Sequence, residues 1–172
     1  DGNGMNDMVF CNRDSVVCIN QEGKILPGWP LYIPLPYTVI RPPAVGDIDG
    51  DGKSEIVAVG IDSYTGHPPD SCLLFAWHSD GTPVVGFPLG FGASYQSPVL
   101  YDMDGDRIPE IIQVFVEGGY CSGLPAKCYV IKGNGTVMGG WPQTMRAKTE
   151  AYKPCVGDID GDGKNELIIG AS

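Results

Sequence analysis

Three short acidic segments hold the residues of this sequence whose types and spacing suit metal binding. They read DIDGDGKSE from Asp47, DMDGDRIPE from Asp102 and DIDGDGKNE from Asp158, and they are called here the first, second and third loop. Each loop offers carboxylates at positions 1, 3, 5 and 9 and a backbone carbonyl at position 7. A hard cation with flexible geometry, such as calcium, prefers this all-oxygen set, whereas magnesium usually keeps several waters. We therefore predict three calcium sites.

The predicted ligands follow directly from these positions. They are Asp47, Asp49, Asp51, Lys53 and Glu55 in the first loop, Asp102, Asp104, Asp106, Ile108 and Glu110 in the second, and Asp158, Asp160, Asp162, Lys164 and Glu166 in the third. The N-terminal DGNGMNDMVF reads as the same loop entered at position 3, which gives a partial fourth site of Asp1, Asn3 and Asp7. Position 6 is glycine in two loops but Arg107 in the second, so we expect strain or weaker binding there.

An EF-hand is the nearest competing interpretation of these loops. It requires a bidentate Glu at position 12 and flanking helices. Position 12 is Ala58, Gln113 or Ile169 here, and an apolar, β-prone run follows each loop at once. Acidic hairpin turns without metal are the second alternative. Three copies of one nine-residue pattern favour metal binding over both.

The formal net charge of −10 is concentrated in the loops, which contain twelve of the 21 acidic residues. Like charges held this close are costly unless a cation neutralises them. Lysine and arginine are scattered, without the basic stripe that nucleic-acid binding requires. The sequence also lacks an apolar run long enough for a membrane helix. We expect no nucleic-acid partner and no membrane span.

The spacing of the loops predicts a repeat architecture. Asp47 and Asp102 are 55 positions apart, and Asp102 and Asp158 are 56 apart, which is within the period range of propeller blades. The intervening segments align on Gly23, Gly81 and Gly135, where Glu-Gly, Asp-Gly and Asn-Gly pairs predict two-residue hairpin turns. We predict an all-β fold of β-propeller blades with four antiparallel strands each, about three blades being present. The approximate units are 1–46, 47–101, 102–157 and the start of another at 158–172.

These repeats resemble the FG-GAP and VCBS repeats of integrin-α-like propellers, whose calcium loops read D-x-D-x-D-G-x-x-D/E. The Gly-aromatic-Pro strands at 28–30, 86–88 and 140–142 are similar to those of bacterial surface and secreted members. The resemblance implies that the loop acids bind structural calcium at blade edges. A propeller closes a ring of four to eight blades, so we expect either a window on a longer chain or several copies that assemble.

Six cysteines predict a disulfide framework. Cys11 and Cys18, like Cys121 and Cys128, are seven positions apart across a predicted strand connection, and Cys72 and Cys155 are paired by elimination. Buried reduced thiols are the alternative. Oxidised pairs would indicate export, so we expect an extracellular or cell-surface protein. Asn134 opens an Asn-Gly-Thr sequon on a predicted turn and is a candidate glycosylation site.

Catalytic signals are sparse. The two histidines, His67 and His78, lie in predicted loops and are expected to be solvated, and no nucleophile elbow or phosphate-binding loop occurs. The sequence therefore predicts a non-catalytic module for adhesion to, or recognition of, a protein or glycan ligand. The first alternative is a structural subunit of an extracellular fibre or surface assembly, with copies of itself as partner. The weaker alternative is part of a polysaccharide lyase, because some calcium propellers of that group use similar loops.

Overall fold

The computed structural model describes residues 4–39, 41–62, 71–119, 122–145 and 152–170. Within these ranges the chain forms fourteen β-strands and no helix, which confirms the all-β prediction. The strands are β1 (Met8–Asn12), β2 (Ser15–Ile19), β3 (Leu31–Tyr32), β4 (Tyr37–Thr38), β5 (Ala44–Gly46), β6 (Glu55–Asp62), β7 (Cys72–Trp77), β8 (Leu89–Phe91), β9 (Val99–Tyr101), β10 (Glu110–Val116), β11 (Ala126–Ile131), β12 (Gln143–Thr144), β13 (Cys155–Gly157) and β14 (Glu166–Ile168).

Every strand pair is antiparallel, and the strands form four sheets in chain order. The first sheet is β1-β2-β3 and the fourth is β13-β14. The second sheet contains β5, β6, β7 and β8, with β4 added beside the far end of β6. The third sheet runs β9-β10-β11-β12. Each of the two middle sheets therefore contains four strands that follow one another along the chain, with an acidic loop between the first two.

The second strand of each middle sheet is buried on both faces. β6 reads EIVAVGID and β10 reads EIIQVFV, and every residue of these strands except Asp62 is buried. β-Branched and aromatic side chains favour extended backbone in such an environment. A continuous apolar run of this length is expected where other layers cover both faces of a strand.

Alternate faces of these strands bind successive sheets together. Ile56 and Ala58 of β6 pack with Val16 and Cys18 of the first sheet, while Val57 and Val59 face the third sheet. In the same way β10 directs Ile111 and Phe115 toward the second sheet, and Ile112 and Val114 toward Val156 and Leu167 of the fourth. The period-2 alternation of side chains thus produces a stack of four sheets with an apolar layer between each pair.

The hairpin turns differ from the prediction of two-residue loops. His78 N–H donates to the Thr82 carbonyl (2.8 Å), and Gly81 N–H donates to the His78 carbonyl (2.9 Å), so three residues form the loop. Gly81 has a φ of 86°, and the aligned glycines repeat the conformation. This is a turn followed by a left-handed glycine that forms a bulge. The Asp-Gly pattern located the turn correctly but gave a loop one residue too short.

The Gly-aromatic-Pro segments were expected to be strands. In the structure they are turns, and each precedes a strand. Gly28 has a φ of 86°, and a Cβ at this position would lie 2.0 Å from the Asp80 carbonyl oxygen of the next sheet's hairpin. Trp29 is buried between the first two sheets, and its indole N–H donates to the Ser79 carbonyl (3.0 Å). The segment therefore joins neighbouring sheets, which requires both the small glycine and the large aromatic residue.

Two of the predicted disulfide bridges are not formed. Cys11 and Cys18 are free thiols in diagonal positions, since Cys11 faces Val16 and Cys18 faces Val9. Diagonal residues are about 7–8 Å apart, which exceeds the usual Cα separation in disulfides. The free thiols of Cys72 and Cys155 lie in the second and fourth sheets.

Each of these two thiols has a polar neighbour within its own part of the structure. Cys72 Sγ lies 3.0 Å from the amide nitrogen of Ser94, while Cys155 Sγ lies 3.7 Å from the Ile168 carbonyl oxygen. Cys128 is also a free thiol, and its predicted partner Cys121 lies outside the described residues. Burial raises the pKa of the Cys72 and Cys128 thiols to about 12. These buried groups are therefore protonated and unreactive in the folded state.

No helix among the described residues is long and apolar enough to cross a membrane.

Candidate functional site

The three acidic loops occupy equivalent places in consecutive sheets. The first connects β5 to β6, the second connects β9 to β10, and the third connects β13 to β14. In each case the position-9 glutamate is the first residue of the outgoing strand. The pairing of the two strands thus brings the two ends of the loop together.

The aspartate at position 1 organises each loop by accepting two backbone hydrogen bonds. In the first loop Asp47 Oδ1 accepts from Gly50 N–H (2.7 Å) and Oδ2 accepts from Gly52 N–H (2.9 Å). Asp102 and Asp158 repeat both contacts within 0.1 Å. The short side chain of aspartate and the turn-forming residues at positions 4 and 6 make this local arrangement possible.

The acids at positions 3, 5 and 9 also accept hydrogen bonds from backbone amides of their own loop. The position-3 aspartate accepts from the amide of position 5, and the position-5 aspartate accepts from that of position 7, in all three loops. The position-9 glutamate closes the loop, since its Oε2 accepts from the amide of position 2 at 2.8–3.0 Å. Each carboxylate retains acceptor capacity after these bonds, because a carboxylate has about four lone-pair sites.

The carboxylates converge into groups that could hold a metal ion. Ligand atoms lie within 4.8 Å of one another in four sets, which are Asp47/Asp49/Asp51, Asp49/Glu55/His78, Asp102/Asp104/Glu110 and Asp158/Asp160/Glu166. Positions 1, 3 and 9 thus lie close together in the second and third loops. The structure does not add Asp106 or Asp162 to these sets. The carbonyls of Lys53, Ile108 and Lys164 stay predicted ligands.

The second loop adopts the same conformation without a glycine at position 6. Arg107 has a φ of 76°, in the left-handed region that non-glycine residues rarely occupy. Its amide nevertheless donates to Asp102 Oδ2 at 2.8 Å, as the glycine amides do in the other loops. The loop interactions therefore hold a strained residue in place, as the sequence led us to expect.

Burial of the position-9 glutamates in the first and second loops raises the pKa of their carboxyl groups. The Glu55 side chain is 0% exposed, and desolvation raises the pKa of its carboxyl group above the ordinary value. Desolvation likewise raises the pKa of Glu110, which is also buried. A nearby positive charge favours the ionised form of such a group. The buried carboxylates are thus suited to a cation.

Two residues that sequence reasoning missed complete these groups. His78 Nδ1 lies 3.3 Å from Glu55 Oε1 and 3.8 Å from Asp49 Oδ2. Lys132 Nζ lies 2.8 Å from Asp104 Oδ2 and 4.0 Å from Glu110 Oε1. His78 is therefore not the solvated loop residue we expected. The alignment contained the signal, because both residues lie three positions before the hairpin glycine.

A groove of about 330 Å³ is lined by residues of both the first and the second loop. Both polar and apolar side chains line it, among them Asp49, His78, Val85, Asp106, Glu110 and Lys132. The sheets stay in contact beneath it where Gly133 meets the first loop, since a Cβ on Gly133 would lie 1.8 Å from the Ile48 carbonyl oxygen. The first two acidic loops consequently face the same groove.

The partial fourth loop lies mostly outside the described residues, which exclude Asp1 and Asn3. Asp7 directly precedes β1, whereas the position-9 glutamates of the three complete loops are the first residues of their strands. Asn134 is exposed, and its Oδ1 accepts hydrogen bonds from the amide and hydroxyl of Thr136 at 3.0 and 2.7 Å. Glycosylation of Asn134 and metal binding by the partial loop stay predictions.

Residues 151–172 match the FG-GAP repeat. The chain is 33% identical over 88 residues to the rhamnogalacturonan endolyase YesW of Bacillus subtilis, and 36% identical over 97 residues to the rhamnogalacturonan exolyase YesX of the same organism. These matches cover 44% and 48% of this chain but only 14% and 15% of the relatives. The Bacillus licheniformis rhamnogalacturonan lyase PL11 structure covers 98% of this chain and 49% of that chain, with 19% identity and a TM-score of 0.44.

The comparisons correct the functional prediction made from sequence. A non-catalytic module for adhesion, recognition or fibre assembly is wrong, because both curated relatives are lyases. The prediction that the chain is not part of an enzyme is wrong for the same reason. That prediction depended on the absence of a compact catalytic motif from the sequence. Such an absence is uninformative when the catalytic residues of a fold are distant from one another in sequence.

Proposed function

We propose that this chain is a segment of a polysaccharide lyase that acts on rhamnogalacturonan. The observation that carries the proposal is the 33–36% identity to two rhamnogalacturonan lyases over about half of this chain. The matched segments are a small part of those relatives, so the segment would act within a larger protein. The polysaccharide is then the glycan partner of the whole molecule.

Within that enzyme, the four sheets would be consecutive blades of a β-propeller. Support comes from the stacked antiparallel sheets, the repeat period of 55 and 56 residues and the FG-GAP match at the C-terminal end. The turns at Gly28 and Gly86 support it further. A Cβ on either glycine would strike the hairpin of the following sheet, at 2.0 and 2.4 Å respectively. Adjacent sheets are thus fixed in one relative position, as a rigid scaffold for a substrate site requires.

The acidic loops would hold calcium. The donor set fits, because each loop combines converging carboxylates in an all-oxygen arrangement with a buried or half-buried glutamate. Bound there, calcium supplies positive charge that offsets carboxylate repulsion. The residues that would hold it are the acids at positions 1, 3 and 9, with Asp51 in the first loop. Their hydrogen bonds to the loop amides orient them in advance.

Charge provides an independent reason to link calcium and substrate. A rhamnogalacturonan carries uronate carboxylates, and a protein of net charge −10 would repel such a polyanion. Three divalent ions would bring the formal charge of this chain to −4. Cations at the loops would therefore favour the approach of an acidic glycan as well as the stability of the sheets.

The proposed substrate also supports export of the protein, since a large polysaccharide is degraded outside the cell and calcium is abundant there. Fractionation of the producing cells tests this part. Recovery of the protein only from the cytoplasmic fraction would contradict it.

Cleavage of rhamnogalacturonan by the protein that carries this chain tests the proposed activity. Elimination removes the proton at C5 of the uronate, forms a C4–C5 double bond and expels the glycosidic oxygen, which takes up a proton. The unsaturated product absorbs ultraviolet light. We expect this absorbance to rise with rhamnogalacturonan and to be much weaker with a polymer of galacturonate alone. Cleavage without the double bond, or no cleavage, would refute the lyase assignment.

A further inference from the structure

Equivalent positions in the second and third sheets carry different residues toward the acidic loops. His78 and Lys132 both precede their hairpin glycine by three positions. Each contacts the acids at positions 3 and 9 of its own loop, which are Asp49 and Glu55 for His78 and Asp104 and Glu110 for Lys132. The repeat therefore places one side chain at the same point of the first and second loops.

The two side chains differ in what they offer a metal ion. An imidazole in its neutral form carries no positive charge that would compete with calcium, although calcium itself prefers oxygen ligands. An ammonium group has three donors and no acceptor, so it cannot bind a cation. Lys132 instead places a positive charge between the acids of the second loop, with a hydrogen bond of 2.8 Å to Asp104 Oδ2.

This ammonium acts in a partly desolvated setting. The side chains of Lys132 and Asp104 are 39% and 26% exposed, and that of Glu110 is 4% exposed. Charges a few angstroms apart interact more strongly near a protein surface than in bulk water. Calcium that uses Asp104 and Glu110 must therefore displace the ammonium or bind beside it.

We propose that Lys132 is an internal counter-ion of the second loop, which competes with calcium for Asp104 and Glu110 and makes this loop a weaker calcium site than the first. The inference depends on the proposed calcium sites and concerns their relative affinities. The second loop would then be partly neutralised by the protein itself, and it would be the first of the two to release calcium as the ion becomes scarce.

Calcium titration calorimetry of the chain tests the proposal. Asp104→Asn identifies the heat that belongs to the second loop, and Asp49→Asn identifies that of the first. Lys132→Met should tighten calcium binding at the second loop by about tenfold, which corresponds to about 1.4 kcal/mol. Lys132→Gln serves as a second neutral variant, and Lys132→Arg, which keeps the charge, should leave the site weak.

Lys127→Met is the matched control. Lys127 lies near the start of β11, whereas Lys132 directly follows the last residue of that strand, and Lys127 Nζ pairs with both Glu117 carboxylate oxygens at 2.8 Å. The two lysines are five positions apart, which corresponds to about 16 Å in extended backbone and is more than a Debye length at physiological salt. This variant removes the same charge and should leave calcium affinity unchanged.

The reciprocal variant His78→Lys should weaken the first loop by a similar factor. If calcium binds but Lys132→Met changes its affinity no more than Lys127→Met does, the competition is refuted while the proposed calcium sites stand. If the unsubstituted chain takes up no calcium, the calcium sites themselves are refuted, and this inference fails with them.

Discussion

Replacement of Glu55 by glutamine should have opposite effects on stability with and without calcium. Glu55 is fully buried, accepts the Ile48 amide hydrogen at 3.0 Å through Oε2 and has Oε1 3.3 Å from His78 Nδ1. Glutamine keeps the size and an acceptor oxygen but removes the charge. In calcium the variant loses a ligand, whereas in chelator it loses only a desolvated negative charge.

The expected loss in calcium follows from binding linkage. Extracellular calcium modules have dissociation constants of about 10⁻⁴–10⁻³ M, so about 10 mM calcium stabilises one such site by roughly 1.4–2.7 kcal/mol. For a chain of this size, each kcal/mol shifts the melting temperature by about 2–4 °C. Glu55→Gln should therefore lower the melting temperature in calcium by about 3–10 °C.

The effect in chelator has the reverse sign. Burial raises the folded-state pKa of Glu55 above its ordinary value of 4.5, so the ionised group destabilises the folded chain at neutral pH. Glu55→Gln should then stabilise the chelated protein at neutral pH by on the order of 1 kcal/mol. The advantage should shrink as pH falls through the raised pKa toward 4.5, because the folded parent takes up the proton there and recovers stability.

Thermal unfolding followed by circular dichroism, with and without calcium across this pH range, measures both effects. Glu166→Gln is the matched control, since Glu166 occupies the same position in the third loop and is only half-buried. It should lose stability in calcium and gain little in chelator. An equal loss for Glu55→Gln in both conditions would refute the reasoning, because Glu55 would then act only through its hydrogen bonds.

Three further predictions concern backbone strain, sheet contacts and thiols. Arg107→Gly should stabilise the chain by about 0.5–1 kcal/mol. The left-handed φ of 76° costs a non-glycine residue roughly 1–2 kcal/mol, and the greater freedom of glycine in the unfolded chain offsets part of the gain. A lower melting temperature of the variant would contradict this. Gly133→Ala should destabilise by about 2 kcal/mol or more in urea unfolding, because the new Cβ would lie 1.8 Å from the Ile48 carbonyl oxygen, whereas Gly139→Ala, with nothing within 4 Å, should not. Without reductant, exposed Cys155 should react with a thiol reagent in the folded chain, and the buried cysteines should react only after unfolding. Fewer than five reactive thiols in the unfolded protein would show that disulfides form.

The features that the sequence predicted correctly arise from short-range interactions. The hydrogen bonds of the acidic loops join residues two to seven positions apart, so the nine-residue pattern contains nearly all of their geometry. The buried strands follow from continuous apolar runs, which require cover on both faces. The loop positions, the all-β class and the four-strand order could therefore be inferred from residue types and spacing.

The features that were missed depend on contacts between distant residues. His78 reaches Glu55 across 23 positions, and Lys132 reaches Asp104 across 28. Each becomes a neighbour of its acidic loop only after strand pairing has fixed the register, because a shift by one residue would turn the side chains to the opposite face.

The sequence by itself thus determined the acidic turns and the strands that hold them, because the required hydrogen bonds and apolar runs are local. Only the tertiary structure decided which charges complete each loop, which thiols stay apart and which turns join neighbouring sheets. Those outcomes depend on how separate strands align and stack, and no spacing within a single segment specifies that alignment.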